Sequence, residues 1–132
     1  MTAIDAEELI YSEMKGKGYD VYRYGAVPTD KTNQLHVVVK ASASGQGRIW
    51  DKHTVYVLGY VPDLDKGTAD ISGVKAMERV ISEPYMHKDR VKTWNGTLAR
   101  FHAEQENRQP ETELECQLVS VMFYVDFKNF KF

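Results

Sequence analysis

The apolar run near the C-terminus constrains the fold more than any other feature. From residue 114 to residue 127 the chain reads LECQLVSVMFYVDF, which is rich in β-branched and aromatic residues and favours a strand. Leu114, Cys116 and Leu118 share one phase of the alternation, whereas the other phase is taken by Val119, Val121, Phe123, Val125 and Phe127. Because successive strand residues point to opposite faces, this change predicts either a bulge near residues 118 to 120 or burial on both faces.

Four more segments have strand character, each ending at a glycine, a proline or a polar turn. The fourth of them and the C-terminal run form a long hairpin across residues 107 to 110, and its polar tip extends from Glu104 to Glu113. The predicted strands are residues 19–27, 35–41, 49–61, 97–106 and 112–127, with a flexible connection at 42–47.

Two segments show apolar residues at helical spacing. Thr2, with Asp5 three residues later, resembles a capping box and predicts a helix over residues 3 to 16. Asp70 is suited to cap a second helix, which Pro84 ends.

The resulting order is α-β-β-β-α-β-β. Successive hairpins predict an α+β fold, with a mainly antiparallel sheet of about five strands and two helices on one face. Residues 85 to 96 show no readable pattern before the turn signal Asn95-Gly96. The 132 residues suit one domain that spans residues 1–132.

Composition narrows the classes of function. The 17 basic and 19 acidic residues give a net charge of −2, which provides no broad positive field for sequence-specific binding of nucleic acid. Cys116 is the only cysteine, so an intramolecular disulfide is impossible. The start of the sequence is acidic where a signal peptide is basic and then apolar, and we find no membrane-spanning window. These features predict a cytoplasmic protein.

The four histidines show no spacing typical of metal ligands. A hairpin centred on residue 45 would place His36 opposite His53, and one centred on residue 109 would place His102 near Glu115 and Cys116. Polar neighbours of this kind arise often by chance, so we expect no metal at these residues or at His87.

Nothing in the sequence predicts a catalytic site. Cys116 lies in an apolar strand, where a thiol acts as a small buried hydrophobe. Ser42 and Ser44 stand beside glycines without a nucleophile-elbow motif, and Gly45 and Gly47 lack the spacing of a phosphate-binding loop. We therefore expect no enzyme activity and no cofactor.

Two features indicate contact with other subunits. Aromatic residues are enriched at interfaces, and this chain has 8 tyrosines and 5 phenylalanines. A long hairpin could also extend its polar tip onto a neighbour. The candidate subunit interface consists of the aromatic residues Tyr22, Tyr24, Tyr56, Tyr60 and Phe130 and of the hairpin residues Glu104, Glu106, Arg108 and Glu111.

The sequence resembles the tail terminator, or head-to-tail joining, proteins of long-tailed bacteriophages. The resemblance covers residues 2 to 127 and lies in the order of the leading helix, VYRYGAVP, LHVVVKAS, HTVYVLGYVPD, SGVKAMERVI and CQLVSVMFYVDF. It implies a small α/β domain without catalytic residues that assembles into a hexameric ring in the virion, after assembly in the host cytoplasm. Its partners would be other copies of itself, the tail tube and the head connector, with DNA passing through the ring.

Two other readings remain open. One is a small bacterial module, acting as a dimer, that binds a ligand or peptide on a tyrosine-lined sheet face. The other is an enzyme whose site is scattered along the sequence.

Overall fold

The structure is a computed structural model, which describes residues 1–65 and 67–129. Helix α1 spans Ala3–Met14, and Thr2 caps it by accepting the Asp5 amide while the Asp5 carboxylate accepts the Thr2 amide. Helix α2 spans Ile71–Ile81, and the Asp70 side chain accepts the Gly73 amide. Both caps satisfy amides that lack a partner within the helix, as the sequence predicts.

The strands form one mixed, mostly antiparallel sheet of six members in the order β1-β2-β3-β6-β5-β4. β1 is parallel to β2, and the other neighbours are antiparallel. The strands are β1 Val21–Arg23, β2 His36–Gln46, β3 Trp50–Pro62, β4 Arg90–Trp94, β5 Thr97–Glu111 and β6 Cys116–Lys128.

The apolar run near the C-terminus forms β6, near the middle of the sheet. β6 pairs with β3 without interruption, from Cys116 opposite Pro62 to Lys128 opposite Trp50. Its change of phase therefore reflects burial on both faces, since Leu118 and Val119 are both buried. The irregularity on this side of the sheet lies in β5, where the register with β6 shifts between Ala103 and Gln105.

Both helices pack on the same face of the sheet. α1 lies against β1, β2 and β3, and α2 lies against β3 and β6. The core between helices and sheet contains Leu9 and Ile10 of α1, Met77 of α2 and Phe123 of β6, all fully buried. Gly59 of β3 leaves room for α2, because a Cβ atom there would lie 2.6 Å from the Met77 Cγ. The predicted α+β fold with a C-terminal hairpin is confirmed.

The sheet has one strand more than expected. β4 lies within the unreadable stretch, and the Asn95-Gly96 turn joins it to β5. The predicted strand over residues 19 to 27 is shorter, because the hydrogen-bonded pairs extend only from Val21 to Arg23.

Both hairpin turns lie further along the chain than predicted. β2 continues through the supposed flexible connection as far as Gln46, which pairs with Asp51. β5 continues through Pro110 to Glu111, and Glu115 adopts the left-handed conformation at the turn. The hairpin tip does not project beyond the sheet, since β3 accompanies β6 as far as Cys116.

We expect adjacent residues of β6 to differ sharply in their effect on stability. Phe123→Ala removes a fully buried ring and should lower the free energy of unfolding by about 3–5 kcal/mol. Tyr124→Ala, the matched control on the opposite face, removes a side chain that is 39% exposed and should cost much less. Urea unfolding followed by circular dichroism measures both, and equal losses would contradict the assigned faces.

Candidate subunit interface

Helices α1 and α2 leave the second face of the sheet uncovered, and the segment of residues 25–32 borders it at the His36 and Tyr60 end. On β2 and β3, Val37, Val39, Val55 and Val57 belong to the core beneath the helices, so the alternate residues point the other way. Val38, Cys116 and Leu118 are buried on this second face, outside the main core. We call it the open face, and its central members are Tyr22, His36, Val38, Tyr56, Leu58, Tyr60, Leu118, Met122 and Tyr124.

An aromatic stack occupies one end of the open face. The His36 ring lies parallel to the Tyr60 ring with centroids 4.6 Å apart, and Tyr22 meets His36 edge-on at 6.0 Å. The His36 Nδ1 donates to the Gln34 carbonyl at 2.6 Å, which fixes the ring. Burial raises the pKa of Tyr60, so its hydroxyl stays neutral over the physiological range.

The other two predicted tyrosines lie on the same face. Lys40 places its ammonium group 4.4 Å from the centre of the Tyr24 ring. The Tyr56 hydroxyl lies 3.7 Å from the Met122 sulfur. The structure thus brings together the four tyrosines proposed for the interface.

The far end of the open face is polar. Arg100 of β5 forms an ion pair with Asp126 of β6 at 3.0 Å, and its guanidinium group lies 4.0 Å from the centre of the Trp50 ring. A cleft of about 470 Å³ lies beside this pair, lined by Thr54, His102, Tyr124, Asp126 and the β2 segment Ala43, Ser44 and Gly45.

The predicted hairpin residues Glu104, Glu106, Arg108 and Glu111 all belong to β5, which only β6 separates from the strand of Tyr56 and Tyr60. Glu111 is close enough to Tyr60 for its charge to contribute, after burial and Cys116, to the raised pKa of that tyrosine. Glu106 faces α2, where desolvation, and then the charges of Glu78 and Glu83, raise the pKa of its carboxyl. The segment does not project as a free tip but lies along the sheet as a long exposed edge, and a subunit contact at these residues stays a prediction. Phe130 lies outside the described residues.

Neither predicted histidine pairing occurs. His36 is opposite Tyr60, and His53 is opposite Ser44, whose hydroxyl lies 2.8 Å from its Nδ1. His102 is opposite Tyr124, because the turn of the β5–β6 hairpin is centred beyond residue 109. Burial lowers the pKa of His53, which favours its neutral form.

His102 has a carboxylate at each ring nitrogen. Its Nδ1 lies 2.8 Å from Asp89 and its Nε2 lies 2.9 Å from Glu104, so the doubly protonated ring can donate to both. His87 is 3.6 Å from the same Glu104 carboxylate. Across residues 1–65 and 67–129, no group of three or more histidine, cysteine or acidic side chains has the geometry to hold a metal ion.

Sequence reasoning missed part of the open face. His36, Val38, Leu118 and Met122 lie among the tyrosines on this face, and the first three of them are buried there. The alternation along β2 and β6 predicts their position, because each of them stands one residue away from a core valine and so lies on the opposite face. Assigning faces strand by strand would have placed them beside Tyr56 and Tyr60.

Comparisons with known proteins give a fold and no family. No protein-family model matches the chain, and neither does any curated protein. One solved structure matches over 98% of this chain and 94% of its own, with a TM-score of 0.53 and 10% sequence identity. Similarity at this identity shows a shared fold alone. Within the described part of the chain, neither helix is long and apolar enough to cross a bilayer.

Cys116 should be almost inert towards alkylation while the protein is folded. Burial raises the pKa of its thiol to about 11, and the charges of Glu111 and Asp63 add to this shift. At pH 8 we expect iodoacetamide to react at least about a hundredfold more slowly than with the urea-unfolded chain, because the thiolate is the nucleophile. Mass spectrometry of timed samples measures both rates, and similar rates would contradict the burial of this thiol.

Proposed function

We propose that this protein is a non-enzymatic virion assembly protein. It forms a ring, hexameric as in the phage tail terminators that its sequence resembles, which caps the tail tube and joins it to the head connector. The observation that carries the proposal is the open face, a tyrosine-rich apolar sheet surface that no helix of the described chain covers.

The composition of the open face suits a protein contact better than a small catalytic pocket. Tyrosine and methionine are enriched at the centres of protein interfaces, whereas lysine and glutamate are depleted there. Tyr22, Tyr56, Tyr60 and Met122 are each partly buried in the isolated chain. The rings already have neighbours, so docking a partner would cost little side-chain entropy.

The proposed ring needs a contact between two different surfaces of the subunit. A neighbour that places another of its surfaces on the open face makes such a heterologous contact, whereas two open faces packed on each other would make a two-fold dimer. Such heterologous contacts form closed rings when their rotation closes. A ring presents the same end of each subunit to the tail tube and the opposite end to the head connector, as the proposed role requires.

The cleft at the polar end of the open face favours a second candidate function. Its volume of about 470 Å³ is within the range typical of small-molecule sites, and Asp126, His102 and Tyr124 supply polar groups. The corresponding proposal is a dimeric module that binds a small ligand or peptide. It predicts two subunits in solution, whereas the ring predicts six.

The first test is the mass of the purified protein in solution. Size-exclusion chromatography with light scattering at micromolar concentration should give about six times the chain mass of 15.1 kDa. A monomer at every concentration would contradict the proposed ring, and a stable dimer would favour the ligand-binding module.

A matched pair of variants tests the open face itself. Tyr56→Glu places a charge in the apolar centre of this face and should reduce the oligomer at least tenfold, because the contact would bury an unpaired carboxylate. Ile4→Glu is the control, since Ile4 is 60% exposed on α1, on the helical side of the sheet. Thermal unfolding should show that both remain folded. An unchanged oligomer in Tyr56→Glu would exclude the open face from the contact.

A further inference from the structure

Two strands of the sheet have free edges at diagonally opposite corners. β1 covers β2 only from Val37 to Val39, and β4 covers β5 only from Thr97 to Phe101. Beyond these short edge strands, residues 42–46 of β2 and 104–110 of β5 have no strand on their outer side within the described chain, and nearly all of them are exposed.

The outward peptide groups of β2 can be identified from its hydrogen bonds. The Val37 amide donates to Asp20, the Val39 carbonyl accepts from Tyr24, and the Ala41 amide donates to the Glu7 carboxylate. Odd-numbered residues therefore direct their peptide groups away from β3 up to Ala41. The register shift between Ala41 and Ala43 adds one residue, so beyond it Ser44 and Gln46 direct theirs outward.

The same reasoning applies to β5. The Ala103 carbonyl accepts from the His87 amide, so the peptide groups of Ala103 are directed away from β6. The register shift between Ala103 and Gln105 again adds one residue. Beyond it, the backbone groups of Glu106, Arg108 and Pro110 are directed outward, away from β6. Pro110 fits this assignment, because a proline without an amide is tolerated on an edge where no partner needs it.

We propose that residues 42–46 of one copy pair with residues 104–110 of the next copy as antiparallel strands, which continues the sheet from subunit to subunit. β2 and β5 are antiparallel within one sheet, since three antiparallel steps separate them, so the sheet can continue without inverting the neighbour. This inference rests on the proposed function and adds to the open face a second subunit contact, along the sheet edges.

The two free segments match in register as well as in direction. If Ser44 faces Arg108 and Gln46 faces Glu106, each segment offers two outward residues to the other, and Pro110 marks the end of the ladder. The intermediate pair, Gly45 and Asn107, is then opposed on the open face, because Gly45 pairs with Lys52 and Asn107 with Ser120 on that side. The β2 segment SASGQ carries no charge, so no like charges oppose Glu106 or Arg108.

Disulfide trapping tests this register. Gly45→Cys combined with Asn107→Cys should give covalent oligomers on mild oxidation, because opposed residues of an antiparallel pair lie about 4.5–5.5 Å apart. A bond within one chain is excluded, because three strand spacings of about 4.8 Å separate β2 from β5 by roughly 14 Å. The site tolerates cysteine, since a Cβ atom at Gly45 meets no atom within 4 Å.

Ser44→Cys combined with Asn107→Cys is the matched control, since these two residues lie on opposite faces and should remain uncrosslinked. Non-reducing electrophoresis should show a ladder for the first pair only. Equal crosslinking of both pairs would overturn the register. If light scattering shows an oligomer but the first pair gives no ladder, the edge pairing is wrong and the ring still stands. A monomer in both assays would overturn the two proposals together.

A second pair of variants distinguishes the contribution of the Arg108 backbone amide to assembly from that of its side chain. Arg108→Pro removes an outward amide and should reduce the oligomer at least tenfold while the β5–β6 ladder remains intact. Arg108→Ala keeps the amide and should lose far less of the oligomer than Arg108→Pro. Circular dichroism confirms that both are folded. Full assembly of the proline variant would contradict pairing through this edge.

Discussion

The pairing of β6 with β3 and β5 is the interaction on which the rest of the structure depends. β6 has a partner strand on each side, and its residues from Val119 to Phe127 supply one wall of the core. Because the backbone hydrogen bonds of β6 are satisfied within the sheet, its valines and phenylalanines can be buried without the cost of unpaired peptide groups. The helices then need to cover only one face.

That arrangement divides the molecule into two sides with different properties. The helical side is closed by aliphatic packing, and Glu7 ties it to the sheet by accepting from Arg23 at 2.6 Å and from the Ala41 amide at 3.1 Å. The open side holds aromatic rings on a surface that the helices do not reach. Stability therefore depends mainly on the first side, and the second side is the surface on which the proposed subunit contact rests.

The sequence predicts those elements whose signals are local. The Thr2 cap, the Asp70 cap and the alternation of β6 each depend on residues a few positions apart, and all three appear in the structure. The hairpin turns were misplaced because Gly45 and Pro110 usually mark turns, whereas here both lie within strands. β4 was missed because Arg90–Trp94 is an exposed edge strand with weak alternation. The open face depends on the two bulges and on the strand order, which are tertiary properties.

The position of the two ends of the described chain has a practical consequence. Met1 lies beside Ser44, Gly45 and His53 in a shallow depression, and the Asn129 amide donates to the Ile49 carbonyl at 2.7 Å. Residues 1 and 129 thus converge on the hairpin that joins β2 and β3. A tag fused to Met1 would therefore crowd the β2–β3 hairpin, at the corner where Asn129 also lies.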